Sequence, residues 1–286
     1  MKQLKNLSKV SIFPLLFLFI LSCGKKTPDN PTTTPPPSGS DADLKSLPKD
    51  NGGVQTAVYL NSNIPYGYFV YTPSGYTSNQ ANYPLLIFLH GLGEVGNSMT
   101  NPGDLNRLLA HGPPELISKK QWSPRYPMIV VSPQTTVSDF DATKVNSFIT
   151  YIVNHYHINT HRIYLTGLSL GGNGTYNYVY NYPDGYVAAA IPLSAAYDKQ
   201  LDYTKFKDTP FWTFCGGSDS PLHALTLTTS LINQTSNAVK AKLTVYPGVG
   251  HDCWDITYTG SGMGSEDKNY DPFNMSIYDW MFQYSK

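Results

Sequence analysis

The sequence predicts an α/β domain of three layers, in which helices cover both faces of a mostly parallel β-sheet. Six short apolar runs recur without the alternation that marks a half-exposed strand, and such runs suit strands buried on both faces. Segments with helical periodicity lie between them, and strands that alternate with helices imply parallel βαβ units. The 286-residue chain is 41% apolar, which is enough to fill one large core.

The predicted strands fall into two groups. Residues 54–60 and 66–71 are short β-rich segments separated by turn residues, and they predict an antiparallel ribbon at the start of the domain. The six apolar runs that follow predict the parallel strands. They cover residues 84–89, 128–131, 163–166, 188–193, 211–214 and 243–246.

Four helices are predicted between and after these strands. Apolar residues recur at i, i+3, i+4, i+7 and i+8 over 145–153, and Asp139 or Asp141 can cap this helix. Further helices are expected directly after Ser169 and over the segments 222–239 and 276–284. Because sites in parallel sheets form at the carboxyl ends of the strands, we expect the chemistry in the loops there.

The first residues resemble a bacterial lipoprotein signal. Lys2 and Lys5 precede an apolar run over 10–21, which is short for a membrane span and typical of a secretory signal. The run ends at Ser22 and Cys23, similar to the lipobox in which the cysteine is acylated and becomes the new N-terminus. We therefore expect a signal peptide over 1–22 and a lipid on Cys23 that anchors the protein to the cell envelope, on its periplasmic face or the cell surface. Ordinary cleavage that releases a soluble protein is the alternative.

Residues 23–51 predict an extended tether, because they are mostly Pro, Thr, Ser, Asp, Lys and Gly and have little apolar surface to bury. The folded domain is then expected over 52–286. The 20 basic and 20 acidic residues balance and are scattered, so no nucleic-acid partner is expected. The 22 tyrosines are common both in proteins that stack on sugars or aryl groups and in ordinary extracellular surfaces.

The strongest chemical signal is the string GLSLGG over 167–172, which follows a predicted strand and precedes a predicted helix. A sharp strand-to-helix turn needs glycines beside the serine, since other backbone approaches closely there, and it holds the hydroxyl above the sheet. The helix N-terminus also favours a developing negative charge. We therefore predict that Ser169 is a nucleophile.

A nucleophilic serine needs a general base and a carboxylate that orients the base. His251 is the best of the seven histidines, because it follows the last apolar strand through a glycine-rich loop. Asp219 lies in the turn after the preceding strand and fits the chain order serine, acid, histidine. Asp252 adjoins His251 and could not easily reach its ring.

A tetrahedral intermediate also needs two backbone donors for its oxyanion. The N–H of Leu170, directly after the nucleophile, is expected to supply the first. The strand over 84–89 runs into the glycine-rich turn 90–94, and the N–H of Leu92 is expected to supply the second. This chemistry requires no metal and no organic cofactor.

Together these motifs resemble the phospholipase/carboxylesterase-like, "predicted peptidase" group of α/β hydrolases, which is related to the feruloyl and acetylxylan esterases of carbohydrate esterase family one. The resemblance covers nearly all of 54–286 and implies a three-layer α/β-hydrolase sandwich with a Ser169, Asp219 and His251 triad. The segments that carry it are 84–96, 111–117, the turn around Ser169 with Gly172 and Gly174, and 247–254.

The chain departs from this group at three places. Cys215 stands where relatives often have histidine, Cys253 stands where a small polar residue is usual, and a Gly/Ser-rich insertion runs over 260–267. The departures leave the triad intact and the substrate preference open. Both cysteines lie near the predicted site in a compartment that permits disulfides, so a bridge and two separate buried thiols are both open.

The resemblance implies a serine esterase, and the chain predicts that its site is open. Only residues 194–210 separate two strands between which many α/β hydrolases insert a cap domain, so no large cap is expected. Trp254, Tyr258 and Tyr270 could form an aromatic wall against a sugar or aryl group, or pack the closing helix instead. The expected function is removal of acetyl or feruloyl groups from a polysaccharide or oligosaccharide. A serine peptidase of the same fold and a non-catalytic glycan-binding lipoprotein are the alternatives.

Overall fold

The computed structural model describes residues 41–197, 201–237 and 239–286 of the chain. The predicted signal peptide, the lipidation site Cys23 and the first part of the tether lie outside these residues. Within the described ranges, none of the helices combines the length and the apolar character needed to cross a membrane.

In the described residues, one central sheet contains eight strands: β1 Val54–Val58, β2 Gly67–Thr72, β3 Tyr83–Leu89, β4 Ile129–Gln134, β5 Ile158–Leu168, β6 Val187–Leu193, β7 Trp212–Gly216 and β8 Lys242–Tyr246. Their order across the sheet is β1-β2-β4-β3-β5-β6-β7-β8. β2 is antiparallel to both of its neighbours, and every other neighbouring pair is parallel. The mostly parallel sheet and its antiparallel opening ribbon are therefore confirmed.

Helices lie on both faces of this sheet. The described residues contain α1 Ala42–Lys45, α2 Gly112–Ser118, α3 Ala142–His155, α4 Leu170–Asn181, α5 Leu222–Gln234, α6 Trp254–Tyr258 and α7 Ile277–Met281. The buried side chains of α3, α4 and α5 pack into one apolar cluster, and those of α1, α2, α6 and α7 pack into a second. The predicted three-layer sandwich is confirmed.

β3 shows why its sequence is apolar throughout. Leu85, Ile87 and Leu89 point into the first cluster, while Leu86 and Phe88 point into the second. Since successive side chains of a strand face opposite sides of the sheet, a strand covered by helices on both sides must be apolar at every position. Each such side chain stabilises the fold by roughly 1.5–3 kcal/mol, and together they hold the end of β3 rigidly beside the loop that follows.

α3 and α5 illustrate how the helix boundaries compare with the sequence. α3 begins as predicted, because the carboxylate of Asp141 caps it by accepting the N–H of Lys144 at 2.8 Å. α5 ends at Gln234 and not at 239. The side chain of Asn233 then holds the segment that precedes β8. It accepts a hydrogen bond from the N–H of Ala241 at 2.8 Å and donates to the carbonyl of Ala241 at 2.9 Å.

The predicted tether over 23–51 includes residues that the structure packs against the domain. Leu44 is buried in the second cluster. Both carboxylate oxygens of Asp43 accept hydrogen bonds from the buried guanidinium of Arg162, at 2.6 and 2.8 Å. Composition did not reveal this contact, because a single leucine and one bidentate ion pair hold a segment that is otherwise polar. Residues 41–50 thus belong with the domain.

Candidate active site

Ser169 occupies a sharp turn between β5 and α4. Its backbone has φ 50° and ψ −109°, a conformation that residues other than glycine rarely adopt. Its N–H donates to the carbonyl of Leu193 at 2.9 Å, which ties the turn to β6. The flanking glycines are required by contact: a Cβ on Gly171 would lie 1.9 Å from the carbonyl oxygen of Leu89, and one on Gly167 would lie 2.4 Å from that of Gly171. The structure thus forms the strained turn that the GLSLGG string predicts.

The structure brings the three predicted catalytic side chains together. The hydroxyl oxygen of Ser169 lies 2.8 Å from Nε2 of His251, and Nδ1 of His251 lies 2.9 and 3.1 Å from the carboxylate oxygens of Asp219. Because an ionised carboxylate only accepts, Nδ1 carries the proton and Nε2 offers its lone pair to the hydroxyl. The Asp219 side chain is 4% exposed and that of His251 is 50% exposed. The acid is therefore sheltered, while the base faces solvent.

Backbone hydrogen bonds join the turn that carries Asp219 to the loop that carries His251. The N–H of Gly217 donates to the carbonyl of Tyr246 at 2.7 Å, and the N–H of Ser218 donates to that of Val249 at 2.9 Å. These bonds continue the pairing of β7 and β8 beyond the sheet. The acid and the base therefore meet because their strands are neighbours, although they are far apart in sequence.

Ser194 also positions the base, and no sequence motif indicates this role. Its buried hydroxyl donates to the carbonyl of His251 at 2.7 Å and lies 3.2 Å from Sγ of Cys253. Its backbone φ is 46°, and its N–H donates to the carbonyl of Phe214 at 2.9 Å. The residue lies just past β6, and only the order of the strands brings it under the histidine loop.

Cys215 and Cys253 are separate free thiols, both buried. This settles the two alternatives that the sequence left open, and no bridge forms between them. Burial raises the pKa of Cys253 to about 12 and raises that of Cys215 well above its ordinary value. Sγ of Cys215 lies 3.9 Å from a carboxylate oxygen of Asp219, so the thiol can act as a weak donor to the acid.

His90 fixes the direction of the loop after β3. The N–H of Thr135 donates to Nε2 of His90 at 3.0 Å, so Nδ1 carries the proton and donates to the carbonyl of Gly91 at 2.6 Å. The N–H of Glu94 also donates to this carbonyl, at 3.3 Å. Because a trans peptide is planar, the N–H of Leu92 points opposite to the Gly91 carbonyl and therefore away from the buried histidine ring. Burial lowers the pKa of His90 to about 4, which keeps the ring neutral.

The two predicted oxyanion donors lie at the same end of the sheet. Leu170 is the first residue of α4, where an N–H has no acceptor within the helix. Leu92 begins the short 3₁₀ turn after β3 and is 58% exposed. A Cβ on Gly171 would lie 1.9 and 2.8 Å from the carbonyl oxygens of Leu89 and His90, so the start of α4 lies directly against the start of this loop.

Of the two alternatives for these aromatic residues, the structure favours packing for Tyr258 and Tyr270 and a place beside the triad for Trp254. Trp254 does lie beside the triad, with its ring edge-on to that of His251 and the centroids 5.4 Å apart. Tyr258 is buried one helical turn further on, and its hydroxyl lies 2.9 Å from that of Thr166 inside the core. Tyr270 packs with the apolar cluster on the opposite face of the sheet. The count of aromatic residues near the histidine could not show which of them face inward.

One group of side chains has the composition of a metal site. His111, Glu115 and Asp255 offer ligand atoms that all lie within 4.8 Å of one another. Two of these side chains are hydrogen bonded to each other: Nδ1 of His111 lies 3.2 Å from a carboxylate oxygen of Asp255. The third, Glu115, forms an ion pair with Lys119. The cluster is satisfied without a cation.

Comparison with known proteins gives matches to solved structures only: no family model matches the chain, and no curated protein matches it. S-formylglutathione hydrolase from Staphylococcus aureus is 14% identical with a TM-score of 0.57, and the match covers 82% of this chain and 99% of that one. The feruloyl esterase module from Clostridium thermocellum complexed with sinapinate is 17% identical with a TM-score of 0.55, over 86% and 92% of the two chains.

The chain has the α/β-hydrolase fold. A thermostable esterase is also similar, at 22% identity and a TM-score of 0.57 over 82% of this chain, which spans 64% of the length of that esterase. In an α/β hydrolase the nucleophile occupies the turn after a central strand, and this is where Ser169 lies.

Proposed function

We propose that this α/β hydrolase is a serine carboxylic-ester hydrolase. The observation that carries the proposal is the hydrogen-bonded chain from Ser169 through His251 to Asp219, at the carboxyl end of a parallel sheet. The strained backbone at Ser169 and the start of α4 beside it support the same conclusion. The similar solved structures include a thermostable esterase and a feruloyl esterase module.

The mechanism follows from these positions. Nε2 of His251 takes the hydroxyl proton as Ser169 attacks the ester carbonyl, and Asp219 stabilises the imidazolium that forms. The N–H groups of Leu170 and Leu92 hold the oxyanion of the tetrahedral intermediate. His251 then returns the proton to the departing alcohol, which leaves an acyl enzyme. Water attacks that acyl group with His251 again as the base, and the carboxylic acid is released.

The substrate we propose is an acetyl or feruloyl ester on a polysaccharide or oligosaccharide. Between β6 and β7, the described residues contain only a short 3₁₀ turn, Tyr203–Phe206, so they place no cap over the site. The exposure of His251 and Leu92 leaves the nucleophile open to a bulky substrate. Trp254 offers an aromatic edge beside the base. One similar structure is a feruloyl esterase module that holds sinapinate.

A substrate panel tests this function. We expect turnover of p-nitrophenyl acetate, methyl ferulate and acetylated xylan, little turnover of a peptide p-nitroanilide, and no ester turnover by Ser169→Ala. Faster cleavage of the anilide, lost in the same variant, would favour a serine peptidase. A wild-type protein that hydrolyses none of these substrates yet binds xylan would favour a glycan-binding protein without catalysis.

We also place the protein in the bacterial cell envelope, held by a lipid on Cys23. The apolar run over 10–21, directly followed by a small residue and Cys23, supports this location. Growth of an expressing bacterium with an alkyne-tagged palmitate should label the wild type and leave Cys23→Ser unlabelled. Equal labelling of the two proteins, or labelling of neither, would contradict the anchor.

A further inference from the structure

Glu94 is a buried glutamate whose carboxylate has no partner among the described residues. The residue is 8% exposed, and its backbone is fully engaged: its N–H donates to the Gly91 carbonyl at 3.3 Å, and its carbonyl accepts from Nε2 of Gln134 at 2.9 Å. Neither carboxylate oxygen forms a hydrogen bond or an ion pair with any residue that the structure describes. The other buried glutamate, Glu266, is 6% exposed and pairs with Lys268 at 3.0 Å. Among the described residues, Glu94 is thus an exception to the rule that buried charges are paired.

This carboxylate lies close to Gly91 and, across it, to the side chain of Leu168. The position that a Cβ of Gly91 would occupy is 3.0 Å from Oε2 of Glu94 and 2.6 Å from Cδ1 of Leu168. Gly91 directly precedes Leu92, the proposed oxyanion donor, and Leu168 directly precedes Ser169. The carboxylate oxygens are not among the fully enclosed atoms that lack a partner, so they can be reached from outside. The missing Cβ of Gly91 leaves room next to them.

An unpartnered carboxylate at this position is costly for two reasons. The side chain is mostly covered by protein, and no donor among the described residues bonds to the carboxylate. It also belongs to the short turn that Leu92 begins, and a negative charge near a developing oxyanion opposes that development. A hydrogen-bond donor brought by the substrate would relieve both costs. The resulting gain in kcat/KM would appear only with substrates that carry such a donor.

We infer that Glu94 is a recognition residue that accepts a hydrogen bond from a hydroxyl group of the substrate ester. The inference rests on the proposed ester-hydrolase function and deepens it, because it selects esters that carry a free hydroxyl close to the scissile bond. That hydroxyl belongs to a sugar alcohol or to a hydroxylated acyl group. A neutral hydroxyl suits this place better than a cation, since the apolar side chain of Leu168 borders the space that a Cβ of Gly91 would occupy, and a cation would lose more hydration there.

The test compares matched ester pairs that differ in a hydroxyl. For the acyl side we would use methyl lactate and methyl 2-methoxypropanoate, and for the alcohol side a monoacetylated methyl xyloside and cyclohexyl acetate. Glu94→Gln should lower kcat/KM on the hydroxyl-bearing member of at least one pair about tenfold more than on its hydroxyl-free partner, because it loses a charge-assisted bond. Glu94→Met should lower it further. The pair that responds identifies which side of the ester carries the hydroxyl.

Glu266→Gln is the matched control, because it removes the charge of an equally buried glutamate outside the proposed site. It should leave both substrate ratios unchanged and keep p-nitrophenyl acetate turnover within about twofold of the wild type.

Three results would overturn the inference and leave the proposed function intact. Unchanged ratios for both pairs would show that Glu94 does not select hydroxyls, and an equal loss on every ester, including p-nitrophenyl acetate, would show a structural role. A loss confined to acetylcholine, measured against 3,3-dimethylbutyl acetate, would assign a cation instead. A wild type that hydrolyses no ester at all would contradict the proposed function, and the inference about Glu94 would fail with it. The two failures are distinguishable, because only the first abolishes ester turnover by the wild type.

Discussion

At the scale of single residues, the carboxylate of Asp219 can orient His251 because it is withdrawn from water. Both of its oxygens face Nδ1, and the N–H of Asp219 donates to the carbonyl of Gly216 at 3.1 Å, which fixes the turn. In this position its charge favours the tautomer with a free Nε2 and stabilises the imidazolium that forms as Ser169 is deprotonated.

Replacement of this acid should therefore abolish most of the activity. Asp219→Asn is expected to lower kcat on p-nitrophenyl acetate by about 10³–10⁴-fold, because the amide can donate to Nδ1 and so favour the wrong tautomer. Asp252→Asn is the control: Asp252 is adjacent to His251 in sequence and exposed, and it should stay within about twofold of the wild type. A similar loss in both variants would mean that Asp219 has no special role.

His90 couples stability to pH at the same scale. Burial lowers its pKa from 6.5 to about 4, so between these values the unfolded chain binds a proton that the folded chain does not. Stability is thus full above pH 6.5 and falls as the pH drops toward 4, and the loss at pH 5 is about 2 kcal/mol. Urea unfolding at pH 7 and pH 5 should show this additional loss in the wild type and not in His90→Gln. The same pH dependence in both proteins would contradict the buried neutral ring.

At the scale of elements, the ends of β7 and β8 hold the acid and the base together, and Gly216 permits their contact. A Cβ on Gly216 would lie 2.0 Å from the carbonyl oxygen of Gly250 and 2.4 Å from that of Val249. These are backbone atoms, so the histidine loop itself would have to move.

Gly216→Ala should consequently damage both stability and catalysis. We expect a loss of about 1–3 kcal/mol in the free energy of unfolding and a fall in kcat of more than about tenfold, as His251 shifts from Ser169. Gly250→Ala is the matched control in the same loop, since its Cβ would meet only a carboxylate oxygen of Asp252 at 3.9 Å. If the two variants behave alike in urea unfolding and ester turnover, the close contact does not position the base.

The sheet and the longer helices could be predicted from the sequence because their signals are local. A strand such as β3 is apolar at every position, and α3 has a cap and a periodic apolar face. The short helices α2 and α6 have five to seven residues, too few for a period to show, and they depend on packing against each other and the core.

The site was predictable where a motif fixes the backbone, and not where contacts join distant segments. The glycines around Ser169 indicate a turn, because the turn itself requires glycine at these neighbouring positions. The roles of Ser194 and His90 depend on neighbouring strands, and Tyr258 faces the core because of a helical turn that the sequence did not reveal.

At the scale of the whole molecule, Arg162 joins the start and the end of the described chain to β5, the strand that leads to Ser169. Its guanidinium binds both carboxylate oxygens of Asp43 and donates to the carbonyl of Phe282 at 2.8 Å. Its side chain is buried, so the loss of the carboxylate would leave a buried cation poorly compensated.

A chain that begins at Gly52 should therefore be less stable than one that begins at Asp41. We expect the shorter chain and the variant Asp43→Ala to lose about 2 kcal/mol or more in urea unfolding, since the pair is partly exposed on the aspartate side. Asp208→Ala, which removes an exposed ion pair with Lys207, should cost about 0–1 kcal/mol. Equal stability of the chains that begin at Gly52 and Asp41 would place the domain boundary after all near residue 52.

The central claim is that Ser169 is an alcohol activated by His251, and covalent capture tests it most directly. Peptide mass spectrometry after treatment with diethyl p-nitrophenyl phosphate should find one diethylphosphoryl group, on Ser169. Ser169→Ala should acquire none, and His251→Ala should react far more slowly. A wild type that stays unmodified, or an adduct that forms equally in Ser169→Ala, would contradict the account.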